Sequence, residues 1–353
     1  MEGDGIGPEI VASTLKVLMA AEQRVGKKSF EFVSLPIGLK AYEMYGSTFP
    51  VISGSELYAC DGAILGPVST HLYDPKENMP NPSAIIRTKY RLYANIRPIR
   101  STPRSKFKGV DLVIVREGTE GMYADRNMFN GSGEMMPNED TVLSFRKVSR
   151  EASRKIAEVA LEIANDREKY ITIVHKANVL RNGCGLFLEE VRNVAKNYKD
   201  IFVDDYHIDA FAMYLIQHPE KYDVIVTTNM FGDILSDEAA GLVGGLGFAP
   251  GLNIGEDFAI AQAAHGSAPS IAGKNMANPI AEILSASLMT NWLAKKSRDA
   301  SLNELAATVH KAVWATIEKN IIHPFDVGGS SATTEICETI VNEIMEGRAI
   351  QSC

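Results

Sequence analysis

Residues 223–242 read DVIVTTNMFGDILSDEAAGL. The first six, Asp223 to Thr228, form a β-branched apolar run with the character of a buried strand, and the remainder opens a helix. Short strand-like runs alternate with helical patterns along most of the chain, the mark of an α/β protein with a largely parallel core sheet. Strands are predicted at Gly62–Gly66, Leu112–Val115, Ile171–Val174 and Val224–Thr227. Two amphipathic helices are predicted in EASRKIAEVALEIAND (151–166) and GLFLEEVRNVAKNY (185–198). Ile156, Val159, Ala160 and Ile163 give the first of these a core-facing stripe. The glycine-rich run Gly241–Gly251 reads as a loop or hinge, and Asp125–Asp140 as a loop or hairpin-like extension.

Within the opening stretch, Asp233 and Asp237 lie four residues apart and so on one helical face. Two carboxylates held that close repel unless a positive charge compensates, and nothing near them in sequence supplies one. A hard divalent cation such as Mg²⁺ or Mn²⁺ would do so, because it takes carboxylate oxygens and keeps positions open for a substrate. The plainer alternative is a capped, solvated helix start, which aspartate also favours.

Composition narrows the classes. The chain has 353 residues, 45% hydrophobic and 23% charged, ample for a substantial core. A net charge of −8 and a pI near 5.5 argue against nucleic acid or an anionic membrane as partner. No apolar run approaches a membrane span. Cys60, Cys184, Cys337 and Cys353 show no disulfide-framework or metal spacing, so a reducing, cytoplasmic setting is expected. Met1–Gly5 begins inside a glycine-rich turn of the kind that follows a strand, so an upstream strand is expected to be missing. Gly3, Gly5 and Gly7 lack the dinucleotide fingerprint spacing, and a standard Rossmann site is not supported.

Several further residues bear chemistry. Lys176, at the end of the 171–174 strand, could act as a general base if its neighbours lower its pKa; a lone lysine there is more commonly a surface group. Tyr123 could donate a proton or simply be a satisfied core phenol. Arg87 falls on a probable helix, Arg97 at the end of the Leu92–Ile96 run and Arg116 at the end of Leu112–Val115. Guanidinium forks bind carboxylates bidentately, and three at the ends of core elements suggest a polycarboxylate site, although any one of them could be salt-bridged locally. The small-residue stretch HGSAPSIAGKNMAN (265–278) lets backbone approach a ligand closely.

Taken together, GDGIGPE (3–9), YANIRP (93–98), VREGTEGMY (115–123), HKANVL (175–180), TTNMFGDILSDEAAGLVGGLG (227–247), HGSAPSIAGKNMANP (265–279) and VGGSSATTE (327–335) resemble the β-decarboxylating dehydrogenases. That family includes isocitrate, homoisocitrate, 3-isopropylmalate, tartrate and D-malate dehydrogenases. The resemblance implies two interleaved α/β domains around a large mixed sheet: 1–94 plus 247–353 as a large cofactor-binding domain, and 95–246 as a small domain that dimerises. It implies that Arg87, Arg97 and Arg116, with Ser83 and Asn178, contact the substrate. Lys176 would take the hydroxyl proton and Tyr123 would protonate the enol carbon. Asp233 and Asp237 would hold Mg²⁺ or Mn²⁺ with Asp209 of a neighbouring subunit, making a homodimer with shared sites. His265, Gly266, Ser267, Ala268, Ser270, Ile271 and Asn278 would hold NAD.

Three positions depart from the family pattern. Ser270 stands where NAD-using members carry Asp and NADP-using members Lys, and Ile271 lacks the tyrosine of NADP-using isocitrate enzymes. NAD is favoured with weaker discrimination. Gln262 replaces a glutamate three residues before the loop histidine, which puts cofactor affinity in doubt. On the helix before Arg87, Ser83 and Ala84 stand where isopropylmalate enzymes place bulky aliphatics, a loss of apolar contact worth ~1–3 kcal/mol. With Asn81 they suggest a polar, carboxylate-bearing substituent, hence isocitrate or homoisocitrate. The alternatives are 3-isopropylmalate or D-malate/tartrate, or a non-catalytic regulatory subunit.

Overall fold

The computed structural model describes residues 1–74, 76–123, 128 and 131–346. Cys353 and the start of the Asp125–Asp140 extension lie outside the described residues. In chain order the elements are α1 (Gly7–Val25), α2 (Gly38–Tyr45), α3 (Val51–Glu56), β1 (Gly62–Ile64), α4 (Pro82–Lys89), β2 (Ala94–Arg100) and β3 (Asp111–Glu117). An antiparallel ribbon of β4 (Glu134–Asn138) and β5 (Thr141–Ser144) follows. Next come α5 (Arg150–Asn165), β6 (Tyr170–His175), α6 (Gly183–Ala195), β7 (Phe202–His207), α7 (Ile208–Gln217), β8 (Val224–Thr227) and α8 (Asn229–Val243). The chain ends with β9 (Leu252–Ile254), β10 (Ala259–Ala261), α9 (Ile280–Ser297), α10 (Ala300–Glu318) and α11 (Thr333–Glu346).

The protein is an α/β fold on one mixed sheet in the order β1-β10-β9-β2-β3-β8-β6-β7. The outer portions are parallel, but β10, β9, β2 and β3 run antiparallel to their neighbours in turn, so the core is less parallel than the sequence suggests. Side chains alternate cleanly across it. On β3, Val113 and Val115 enter a core shared with α5 and α6, while Leu112 and Ile114 enter a second core under α7 and α8. A third core, with Leu57, Leu65, Ile86 and Phe258, lies under α3 and α4. The predicted α5 stripe is as expected: Ile156 and Ala160 are fully buried, and Ile163 packs at the margin. Ser149 caps that helix by accepting from Ala152 N at 3.2 Å. Among the described residues, no helix is long and apolar enough to cross a membrane.

The glycine-rich turn before α1 serves packing. Gly5 has φ +58°, and a Cβ there would collide with the Ser267 carbonyl oxygen, which instead accepts Ile6 N at 2.8 Å. Asp4, buried, accepts from Leu39 N (2.6 Å), Ser69 N (2.8 Å) and the Tyr73 hydroxyl (2.8 Å). One carboxylate thus ties three loops together.

Glu282 on α9 is fully buried, with one oxygen accepting Ala263 N at 2.8 Å. Burial pushes its carboxyl up to about 8. The folded chain therefore holds this proton more tightly than the unfolded one. The associated stability is complete below the unfolded value near 4.5 and is lost as pH rises through about 8. Glu282→Gln keeps an acceptor and cannot ionise. It should stabilise the protein by on the order of 3 kcal/mol at about pH 9 and leave it nearly unchanged at about pH 5 in urea titrations. Equal effects at both pH values would refute a buried neutral carboxyl.

Candidate active site

The antiparallel pairing of β2 with β3 sets Asn95 opposite Arg116 and Arg97 opposite Ile114, all on the face that α8 covers. Arg97 sits in the middle of β2 and not at a strand end, because the strand continues to Arg100. Its Nε donates to Asn95 Oδ1 (2.6 Å), its Nη1 to Ser236 Oγ (2.5 Å) and Asp237 Oδ1 (3.3 Å), and its Nη2 lies 3.5 Å from Asp233 Oδ1. Arg116, only 3% exposed at its side chain, donates to Asn229 Oδ1 from Nε (2.9 Å) and Nη2 (2.7 Å). Its Nη1 pairs with Asp233, and its Nη2 donates to the Tyr123 hydroxyl at 3.0 Å. Tyr123 in turn donates to Asp233 Oδ2.

The compensation missing near the aspartates in sequence is therefore supplied from afar, by arginines on two neighbouring strands. Burial alone would raise Asp233, but Arg116, the Tyr123 hydrogen bond and the Arg97 and Arg87 charges hold its carboxyl below the usual range. Asp237 is pushed up instead, first by burial and further by Asp233, with Arg97 opposing. Neither residue is the helix cap, a position that Thr228 holds. Both keep exposed carboxylate surface, 39% at Asp233 and 54% at Asp237. Their hard oxygens suit two ligand positions of a Mg²⁺ or Mn²⁺ site, and among the described residues no third His, Cys, Asp or Glu joins them.

Beside this cluster lies a cavity of ≈ 180 Å³ lined by Ser83, Arg87, Arg97, Gln262, His265 and Gly266, among others. Ser83 and Arg87 reach it from α4. Asn81 lines the cavity too, and its side-chain oxygen caps α4 by accepting Ala84 N at 3.2 Å. Sequence reading placed Gln262 near the cofactor. Its side-chain oxygen accepts from Ser83 Oγ (3.1 Å) and Arg87 Nη2 (2.9 Å).

The 265–278 loop borders the same cavity. Ser267 is buried, and its hydroxyl accepts from Ser69 Oγ at 2.7 Å. Ala268 takes a left-handed conformation at φ +37°, while Gly266 and Ser270 are exposed and Ile271 is half-buried. His265 Nε2 is buried with no protein partner, and burial lowers the ring's pKa. An orphaned imidazole nitrogen beside exposed loop backbone fits a polar ligand such as a dinucleotide. Asn278, buried, donates to Asp326 at 3.2 Å. Asp326 escaped the sequence reading, since its only signal was an acid ahead of the VGGSSATTE block.

Lys176 and Asp209 lie apart from the arginine cluster. The parallel register of β6 and β7 sets His175 beside His207, so the residues just beyond both strand ends meet. Lys176 Nζ pairs with Asp209 in the first turn of α7, and that hydrogen bond holds the Asp209 carboxyl low. The Asp209 side chain is 68% exposed, and Asn178 is exposed on the turn after β6.

The chain matches the family described as isocitrate/isopropylmalate dehydrogenase over residues 1–344. It is 40% identical over 349 residues to an isocitrate/homoisocitrate dehydrogenase of Thermus thermophilus, spanning 98% of this chain and 97% of that protein. It is 38% identical over 360 residues to a 3-isopropylmalate/3-methylmalate dehydrogenase of Methanocaldococcus jannaschii, spanning 98% of each. The crystal structure of isocitrate dehydrogenase from Methylococcus capsulatus superposes with a TM-score of 0.85 at 35% identity, covering 97% of both chains.

If Asp233 and Asp237 hold a divalent cation, Mn²⁺ at about millimolar concentration should raise the melting temperature by mass action. Asp237→Asn should lose that shift. Asp257→Asn, which alters an exposed acid paired with Lys296, should keep it. An undiminished shift in Asp237→Asn would place the cation elsewhere.

Proposed function

The chain belongs to the isocitrate/isopropylmalate dehydrogenase family, and from that premise we propose that it oxidatively decarboxylates isocitrate or homoisocitrate, with NAD as hydride acceptor and Mg²⁺ or Mn²⁺ bound. The observation that carries this reading is the cavity between α4 and the arginine–aspartate cluster. Its α4 wall presents Asn81 and Ser83 where a branched aliphatic substrate would need hydrocarbon. An isopropyl group against this polar wall would forfeit apolar contact worth roughly 1–3 kcal/mol.

In this reading Arg87, Arg97 and Arg116 hold the substrate carboxylates, and Asn178 contributes a further polar contact. The Lys176 amine takes the proton of the 2-hydroxyl. The Tyr123 hydroxyl, held between Arg116 Nη2 and Asp233, returns a proton to the enol carbon after CO₂ departs. A divalent cation on Asp233 and Asp237 supplies Lewis-acid polarisation of the reacting oxygen. His265, Gly266, Ser267, Ala268, Ser270, Ile271 and Asn278 would hold the dinucleotide, which would supply the hydride acceptor. Ser270 neither repels nor pairs a 2′-phosphate strongly, so NAD is preferred without being exclusive.

The active unit is a homodimer with shared sites. Two features support this. Among the described residues Asp209 does not join Asp233 and Asp237 in a three-carboxylate group, and its side chain is 68% exposed. The ribbon β4–β5 carries exposed Met135, Met136, Val142 and Leu143, an apolar surface that a second copy would cover. Because Lys176 is bonded to Asp209, the two travel together, and both reach the partner's arginine cluster.

The purified chain should form NADH from isocitrate or homoisocitrate with Mg²⁺, and EDTA should abolish turnover reversibly. Absence of turnover with the single chain, or full activity without metal, defeats the reading. Sharing has its own test. Inactive Lys176→Ala and Asp233→Asn chains, once subunits exchange, should recover about a quarter of wild-type activity, because one site of each heterodimer is intact. Lys176→Ala with Asp209→Asn should recover none. The reverse pattern would put Lys176 in its own subunit's site.

A further inference from the structure

His175 closes β6, and its side chain is 3% exposed. Each ring nitrogen has a partner. Nδ1 lies 3.0 Å from Ala177 N, and Nε2 lies 3.0 Å from Asp205 Oδ2 on β7. A backbone N–H can only donate, so Nδ1 carries the lone pair and Nε2 the hydrogen. The second bond enforces the same tautomer, because an ionised carboxylate only accepts. Burial would raise Asp205, but the bonds from His175 and from Arg192 of α6 hold its carboxyl below the usual range. Arg192, Asp205, His175 and the Ala177 amide thus form one directional chain from α6 to the turn after β6.

That turn holds Lys176 between the two residues that the ring joins. Its other bonds are local, since Lys176 O accepts from Val179 N (3.1 Å) and Leu180 N (2.8 Å). The imidazole fastens it to a buried side chain of the sheet. The same ring meets His207 edge-on, with centroids 5.3 Å apart, and His207 precedes α7, whose first turn carries Asp209. One ring therefore abuts both segments that bring Lys176 Nζ to Asp209. We infer that His175 is a positioning residue for Lys176, whose backbone is fixed by the Nδ1 lone pair that Asp205 orients. This inference rests on the proposed reaction, in which the Lys176 amine takes the hydroxyl proton; His175 itself exchanges none. Displacing a reacting group by about 1 Å can cost about 10²-fold in rate, so a bond at the root of this side chain is felt at its tip.

Three replacements separate the roles of the ring. His175→Asn puts an acceptor oxygen near the place of Nδ1, His175→Gln puts a donor near that of Nε2, and His175→Phe keeps a ring with neither. In His175→Phe and His175→Gln, kcat should fall by about 10²-fold, while His175→Asn should stay within about fivefold of wild type. KM for isocitrate and for NAD should stay within about threefold in all of them. Equal losses in His175→Asn and His175→Gln, or losses that simply follow the melting temperature, overturn the inference. A second readout needs no turnover. Acetylation of Lys176 by dilute acetic anhydride is measured by peptide mass spectrometry against exposed Lys199. It should rise by about threefold or more in His175→Phe, as the amine leaves Asp209, and stay near the wild-type rate in His175→Asn. If wild type oxidises neither isocitrate nor homoisocitrate, the proposed reaction fails and the labelling alone decides the role of His175. Unchanged labelling of Lys176 in His175→Phe sinks it.

Discussion

The buried guanidinium of Arg116 is the constraint around which the candidate site is arranged. A cation with a side chain 3% exposed is costly to desolvate unless every donor finds an acceptor. Here Asn229, Asp233 and Tyr123 supply them, from the first turns of α8 and from the turn after β3. Such close approach is possible only because residue 232 is glycine, since a Cβ there would lie 2.7 Å from Arg116 Cβ and Cγ. Gly232 therefore brings α8 down onto β3, and the helix register then delivers Asp233 and Asp237 to the arginines. Asn229 is held in its turn by donating to Glu120 O at 2.7 Å.

The same geometry sets two carboxylates of one helix face in opposite electrostatic states. Asp233, next to both guanidinium groups and the tyrosine hydroxyl, is kept ionised below its ordinary range. Asp237 meets only one guanidinium, at 3.3 Å, and burial together with its neighbour's charge pushes it upward. A divalent cation would relieve that second, less compensated position more than the first. A group that binds such a cation more tightly than a proton releases the proton on loading, so affinity at this pair would rise with pH.

What could be read from sequence was whatever local pattern controls. The β-branched runs at 112–115, 171–174 and 224–227 are strands, α5 and α6 stand where the periodicity put them, and the long family blocks identified the fold. What could not be read depends on sheet order. Arg97 meets Asp237 across 140 residues and Arg116 meets Asp233 across 117, contacts created by the adjacency of β2, β3 and α8. Asn81 lines the cavity as its polar type suggested, but its use as a helix cap required knowing where α4 begins. Lys176 and Asp209 became a pair only through the β6–β7 register.

Substrate choice is equally a matter of a few distant side chains. The chain is 40% identical to an isocitrate/homoisocitrate dehydrogenase and 38% identical to a 3-isopropylmalate/3-methylmalate dehydrogenase, so overall likeness does not separate the two chemistries. The sheet, the glycine turns and the arginine–aspartate cluster would serve either chemistry, since both kinds of substrate share a malate core. In the proposed reaction the variable part of the substrate would face a smaller surface, the wall where α4 meets the 262–266 loop. That wall is built by two segments brought together by folding, and one neutral amide spans them. A single change of charge at the joint would alter the field at Arg87 while leaving the backbone scaffold in place. Selectivity can thus diverge within this fold far faster than the fold itself.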